Sequence, residues 1–445
     1  MIEIKLKEIA GRLGKSVMDI SRETGLNRNT VSGLFHNQVD GIKFSTIDLL
    51  CDTYGLNFTD LLSRKESRVG AAPASRIVRE IQTAAPFFSW FKLNALHAPS
   101  AAYFDGGIGK LYAFFIREGA ELYIDRVEAN RCAQAIYRRY GRSGLAGVHS
   151  AFVQAKDQLQ SLLNTVSTQP IEQFIGTDLI KIFERVSDLY ADSLAVSAWL
   201  DAFDYGTRDD LVRQIQKAHS FSAADISLLL TSGETTASVR RRIALLHLAK
   251  EFIRQSPNNQ TSDQIRSFVS SHKDAQDYLK RYPFISKEAL AASLRAYASM
   301  PPVLEQELET LTHLPQRHAK ALKAVLSAHG MRNNPLSFFS ALSAWREERD
   351  EIDAAALFQL ERILRAVAKK TRLSYSFARY LLPQEVKHAL NGLVSERTLQ
   401  HRYEQGMLVA LEHGEYKAHE GEYAASLQDD LASRYLSQLE YADVS

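Results

Sequence analysis

Residues 15–35, KSVMDISRETGLNRNTVSGLF, constrain this chain more than any other run, because two helical spacings meet there across a single glycine. Ser16 stands where an N-cap belongs, and Val17, Ile20 and Ser21 follow on one inward face. Gly25 can take the left-handed conformation that ends a helix. Asn27 stands as the next cap, and Val31, Leu34 and Phe35 return at helical spacing. Arg28, Asn29, Thr30, Ser32 and Gly33 are left facing outward. That outward set suits a duplex major groove: Arg bonds the acceptor edge of guanine, Asn the donor and acceptor pair of adenine, and Thr a phosphate or a thymine methyl. Gly33 removes bulk where the helix would approach the backbone, and Ser21 is small where two helices cross. The plain alternative is a helical hairpin with a polar face.

These residues resemble the helix-turn-helix of the Cro/C1-type (Xre-like) family, and the resemblance extends over residues 1–63. It implies a five-helix bundle, with helices at 4–13 and 16–24, a recognition helix at 27–36 and a closing pair in FSTIDLLCDTYGLNFTDLL. In that last run Ile47, Leu50 and Tyr54 recur at helical spacing, Gly55 breaks the chain, and Phe58, Leu61 and Leu62 pack the final turn. The resemblance also implies double-stranded DNA as partner, met by Ser16, Asn27, Arg28, Asn29, Thr30, Ser32, Gly33, His36, Asn37 and Lys43. Many members carry Gln where this chain has Val17, which puts in question the contact often made from the start of the second helix.

At 445 residues the chain exceeds one compact domain, so a small DNA reader with a larger body behind it is expected. Hydrophobic residues at 45% and charged residues at 24% are ordinary for a soluble globular protein. The net charge of +2 excludes a polycation, so DNA affinity must come from local placement of Arg and Lys. Even within the first 68 residues, ten Lys and Arg face nine Asp and Glu. Nonspecific binding should be modest. Cys51 and Cys132 form neither a disulfide framework nor a CxxC pair, and both read as small core hydrophobes. No apolar run approaches membrane-spanning length and no leader pattern opens the chain, so a cytoplasmic protein with no membrane partner is expected.

After the reader, SRKESRVGAAPASR lacks an apolar period and reads as a linker over 64–76. Residues 77–445 read as a mainly helical sensor or oligomerisation body. Helical spacing restarts through Ile77 and Ile81 and continues into Phe87, Phe88, Trp90 and Phe91. Residues 101–126 carry β-branched and aromatic runs split by DGG and EG, which predicts an antiparallel sheet of two or three strands. The DGGIGK glycines lack phosphate-loop spacing, because Leu111 and not Ser or Thr follows Lys110, and a hairpin turn is the better reading. From 127 to about 399 the pattern is helical, with breaks at GRSGLAG, SPNNQ, MPP and MRNNP and no fixed repeat. A second hairpin is expected near 407–418, then a helix over 423–439. The fold class is therefore mainly α: the N-terminal bundle, the linker, and a large irregular helical body with small antiparallel β elements.

From residue 87 onward the chain also resembles, more loosely, the accessory helical region of phosphoenolpyruvate-synthase-like proteins. DAQDYLKRYPFIS, FARYLLPQEV and RYEQGMLVALEHGEYKAHEGEYA carry that resemblance, in that order. Their catalytic domains have neither room nor signature here, so the resemblance implies a scaffold without its catalyst.

Hidden catalysis finds little support. His413 and His419 sit among Glu412, Glu415, Glu420 and Glu422, but a hairpin sends alternate residues to opposite faces, and acids at its edge solvate it. His313 and His318 lack a carboxylate at ligand spacing, and His247 reads as a packed side chain. Arg138, Arg139 and Arg142, then Arg240, Arg241 and Arg242, then Lys369, Lys370 and Arg372 read as solvated helix faces. SGETTASVRRR offers one hypothesis, a phosphorylated ligand at a helix start with three arginines. The expectation is a sequence-specific, dimeric transcriptional regulator with a ligand-sensing or oligomerisation region, without enzymatic activity, cofactor or metal. A DNA-tethered interaction component of a mobile-element or defence system is the alternative.

Overall fold

The computed structural model describes every residue except 1, 5, 14, 36–43, 55–61, 65–76, 84, 100–101, 142–143, 206, 256–260, 413–414 and 444–445. The chain separates into two compact units, Met1–Ala74 and Ser75–Val444.

In the first unit, helices α1 (Leu6–Leu13), α2 (Val17–Thr24), α3 (Arg28–Phe35) and α4 (Phe44–Tyr54) enclose a small core. Leu6, Ile9, Ile20, Val31, Leu34, Ile47 and Leu50 are buried there, and Val17, Phe35, Cys51 and Tyr54 pack against them. Strand β1 (Ile2–Ile4) pairs antiparallel with β2 (Leu62–Arg64), Ile2 opposite Arg64. Ile4 thus belongs to a strand and not to the first helix, and Leu62 pairs with it where a closing helix was expected. The alternation Ile2, Glu3, Ile4 suits a strand, but only the returning chain supplies its partner. Phe58 and Leu61, the other residues of the expected fifth helix, lie outside the described residues, as do 65–76 of the expected linker.

The second unit is built on one antiparallel sheet of five strands: β3 (Ile77–Thr83), β4 (Lys110–Ile116), β5 (Gly119–Asp125), β6 (Met407–Glu412) and β7 (Glu415–Glu420). Their order is β3-β5-β4-β6-β7. Two expectations are corrected here. Ile77 and Ile81 lie in a strand whose register sets Ile77 opposite Asp125, and the helix α5 (Pro86–His97) starts only at the proline. The strands of 110–125 do not stand alone, because β6 from the far end of the chain docks on β4, with Phe115 opposite Met407.

DGGIGK is not a hairpin turn either. It runs irregularly into β4, and a Cβ at Gly107 would overlap the carbonyl oxygens of Leu96 and His97. Glycine is required there by a close approach of backbone to backbone. The hairpin turn is Arg117–Glu118, with Arg117 at φ 52°.

Both faces of the sheet are covered at its centre, along β4, β5 and β6, which is why β4 and β6 read as nearly continuous apolar runs. Leu111, Ala113, Phe115, Leu122, Val409 and Leu411 face the main helical core. Phe114, Tyr123 and Leu408 pack against Ala424 and Leu431 of the last helix. The main core is organised by α6 (Gly176–Ser197) and α8 (Ser337–Thr371), between which α7 (Ala237–Gln255) begins a separate cluster through Leu246, Phe252, Phe268, Tyr282 and Leu294. The last helix is α9 (Gly421–Asp443). Helix ends fall at GRSGLAG, MPP and MRNNP; SPNNQ lies outside the described residues. Among the described residues no helix is long and apolar enough to cross a membrane.

Candidate nucleic-acid interface

Helix α2 is fixed at its start by a reciprocal pair of bonds. The Ser16 hydroxyl accepts from the Asp19 amide at 3.2 Å, and the Asp19 carboxylate accepts from the Ser16 amide at 2.9 Å. Hydrogen bonds from Ser16 hold the Asp19 carboxyl below its ordinary range. Gly25, at φ 69°, ends the helix in the left-handed region. The turn is then tied from within. Ser21 Oγ donates to the Leu26 carbonyl at 2.7 Å, and the Leu26 amide donates to Thr24 Oγ1 at 3.3 Å. Ser21 therefore does more than stay small at a crossing: it bonds the turn that sets the angle between α2 and α3.

The Val31 amide donates to the Asn27 carbonyl at 3.0 Å, which begins α3. Val31 and Leu34 are buried beneath, so the opposite face of α3 is the one left to water. Asn27 and Thr30 are exposed, and Ser32 and Gly33 are half-buried. Arg28 and Asn29 occupy the first turn of α3; Ser16 caps the neighbouring helix and is exposed. His36, Asn37 and Lys43 lie outside the described residues. Along α2 the charges of the described residues are paired. Lys15 pairs with Glu23, which also accepts from Tyr54 Oη at 3.0 Å, and these bonds hold the Glu23 carboxyl below its ordinary value. Arg22 lies 3.8 Å from Asp19.

What these elements define is a DNA-binding domain of the helix-turn-helix class. Residues 5–67 match the profile of the Cro/C1-type HTH DNA-binding domain. The match describes that segment of the chain. No curated protein and no solved structure matches the chain, and the resemblance of the remainder to phosphoenolpyruvate-synthase-like proteins has no support from these comparisons.

The candidate sites proposed for the body fare differently. The α7 start already meets a carboxylate, since the Ser238 amide donates to Glu347 at 3.3 Å. Of its arginines, Arg240 donates to the Thr235 carbonyl at 2.7 Å, Arg242 grips Glu307 at 2.6 and 3.2 Å, and Arg241 lies over the Phe284 ring. Of the three arginines, Arg242 is thus bound to a carboxylate, while Arg240 and Arg241 are held by a carbonyl and a ring. His247 is exposed and not packed, because the α7 stripe formed by Leu245, Leu246, Leu248 and Ala249 turns it outward. His318 is buried, its Nε2 3.1 Å from the Leu228 carbonyl. His419 packs edge-on against Tyr423; His413 and Arg142 lie outside the described residues. Cys51 and Cys132 are half-buried and, among the described residues, join no disulfide; the Cys132 thiol donates to the Gly107 carbonyl at 3.1 Å, and burial pushes it up.

One cluster was missed from the sequence. Arg349, only 3% exposed, donates to Asp201 at 2.9 Å and to Asp350 at 3.0 Å, with Asp353 at 3.8 Å. Lys92 reaches the same Asp201 at 2.8 Å, and Arg346 reaches Asp204 at 3.1 Å. Burial works to raise the Asp201 carboxyl, but Arg349 and Lys92 outweigh it and hold it low. At Asp353 burial wins over Arg349, and the carboxyl is pushed up to about 7. A signal was present: Trp345, Arg349, Ile352, Ala356 and Leu360 form the buried stripe of α8, and a charge stands inside it.

Proposed function

We propose that the protein is a sequence-specific transcriptional regulator that binds operator DNA as a dimer through α3, with the second unit as its sensing or oligomerisation region and no catalytic role. The observation that carries this reading is the bonded α2–turn–α3 unit, with buried Val31 and Leu34 beneath a polar outer face, in a segment that matches a DNA-binding domain. Arg28 and Asn29 are the base-reading residues in this reading, and Ser16, Asn27, Thr30, Ser32, Gly33, His36, Asn37 and Lys43 contact or approach the duplex. One domain of this size gives limited specificity, so two copies would meet half-sites about 34 Å apart.

The test is a genome-wide pull-down of fragmented DNA by the purified full-length protein. A small set of fragments sharing a two-fold-related sequence is expected. Retention of no fragment at low ionic strength, or of all fragments alike, would refute the reading. Co-purification of a protein partner without any preferred DNA would favour an interaction component instead.

A further inference from the structure

A cavity of about 800 Å³ opens inside the second unit, between α5, the inner face of the sheet and α8. Its volume falls in the range of pockets for small organic ligands, roughly 300–1,000 Å³. Ala113, Phe115, Ala120 and Leu122 of the sheet form one wall. Phe88, Tyr190, Tyr205, Phe284, Phe358 and Tyr375 supply aromatic surface around the rest.

The charged groups at this cavity are not equivalent. Lys92 is held by Asp201 at 2.8 Å. Arg365 is held by Glu361 at 2.6 Å and lies over the Tyr375 ring, 3.9 Å from its centroid. Arg379 pairs with Glu118. Each cation therefore has its carboxylate already. Asp353 differs. The Arg349 guanidinium spends its hydrogen bonds on Asp201, Asp350 and the Ser197 carbonyl, and comes no closer to Asp353 than 3.8 Å. Asp353 Oδ1 is buried with no hydrogen-bond partner among the described residues. Around Arg349 and its neighbours four carboxylates, Asp201, Asp204, Asp350 and Asp353, face three cations, Lys92, Arg346 and Arg349. The group left over is the one that lines the cavity.

We propose that this cavity binds a small aromatic ammonium compound, its positive group bonded to Asp353 and its ring system lodged among the surrounding aromatic side chains. A cation there pairs with the Asp353 carboxylate, which Arg349 approaches no closer than 3.8 Å, and aromatic faces attract cations in a desolvated site. The raised carboxyl of Asp353 adds a sign: the ligand must displace a proton, so binding strengthens as pH rises through about 7. The other charged or titratable groups acting on Asp353 are Arg349, Asp350, Lys92 and Asp201, and Tyr190 lines the same cavity. The proposal rests on reading the second unit as a sensor.

The test is calorimetric titration of the full-length protein, without DNA, with a matched series: tryptamine, the neutral alcohol tryptophol and the anion indole-3-acetate, and proflavine against acridine at about pH 8. The cations should bind at least about tenfold more tightly than their neutral counterparts. Tryptamine affinity should rise from about pH 6 to 8. Asp353→Asn should erase the preference for charge, and Leu357→Trp, which fills the cavity, should weaken every probe. The pH series uses the unaltered protein and stands even if a variant fails to fold. Equal binding of tryptophol and tryptamine, preference for indole-3-acetate, or binding of no probe would overturn the proposal. Because DNA is absent, these outcomes are independent of whether α3 reads an operator.

Discussion

Gly25 and Gly107 meet two different demands on the backbone, and each predicts its own failure. Nothing lies within 4 Å of a Cβ placed on Gly25, so only its φ of 69° opposes a side chain. Gly25→Ala should therefore cost about 1–2 kcal/mol, the usual penalty for an L-residue in the left-handed region. A lower unfolding midpoint for the N-terminal unit in calorimetry would show it, and an unchanged midpoint would refute it. Gly107 is limited by crowding instead, a demand that no local signal announces. At Arg28 and Asn29 the expected effect is on recognition: either alanine variant should weaken binding to the preferred operator by about 1–3 kcal/mol and relax its sequence preference, measured by fluorescence anisotropy against base-substituted duplexes.

Asp353 carries a prediction in pH. Its carboxyl sits at about 7 in the folded chain against an ordinary value of 3.8, so the folded state holds this proton more tightly than the unfolded state. Its contribution to stability is complete below about pH 4 and is lost as pH rises to about 7. Asp353→Asn removes that loss. Urea unfolding across this window should show a shallower decline for the variant than for the parent, and parallel curves would count against it.

At the scale of elements, Arg402 ties together three neighbouring segments of the C-terminal region. It donates to both oxygens of Glu385 at 2.6 and 2.8 Å, to Glu420 at 2.8 Å and to the Tyr380 carbonyl at 3.1 Å. It thereby bonds β7 to the turn at Pro383–Glu385. Arg402→Met leaves Glu385 and Glu420 facing one another without their cation, and a cost of about 3–5 kcal/mol is expected. Denaturant unfolding of the body measures it, and a change under about 1 kcal/mol would mean that solvent screens the pair. FARYLLPQEV supplies Tyr380 and Glu385 and the terminal strand pair supplies Glu420, and Arg402 gives a physical reason for those residues within this chain.

At the scale of the whole molecule, the near balance of charge in the reader predicts a modest salt dependence. Sequence-independent DNA binding should fall with added salt at a slope reporting only a few phosphate contacts, where each contributes about 0.9 to the logarithmic slope. A slope as steep as ten would contradict the charge count of the first 68 residues. Operator binding should also track the dimer measured by sedimentation, with footprints about 34 Å apart. The helix-turn-helix was legible because its causes are local: a capping serine, a left-handed glycine and one apolar stripe lie within about twenty residues. Strand β3 was not. Ile77 and Ile81 satisfy a four-residue spacing as well as a strand's alternation, and the decision came from β5 lying alongside.

The sequence alone determined the helical periods, the breaks between them and the small reader at one end, because each depends on neighbours along the chain. The five-stranded sheet, Arg349 buried among three carboxylates and Asp353 facing a cavity were decided only by tertiary structure. They join residues hundreds of positions apart, and the balance of burial against ion pairing that sets their charge does not exist until those residues meet.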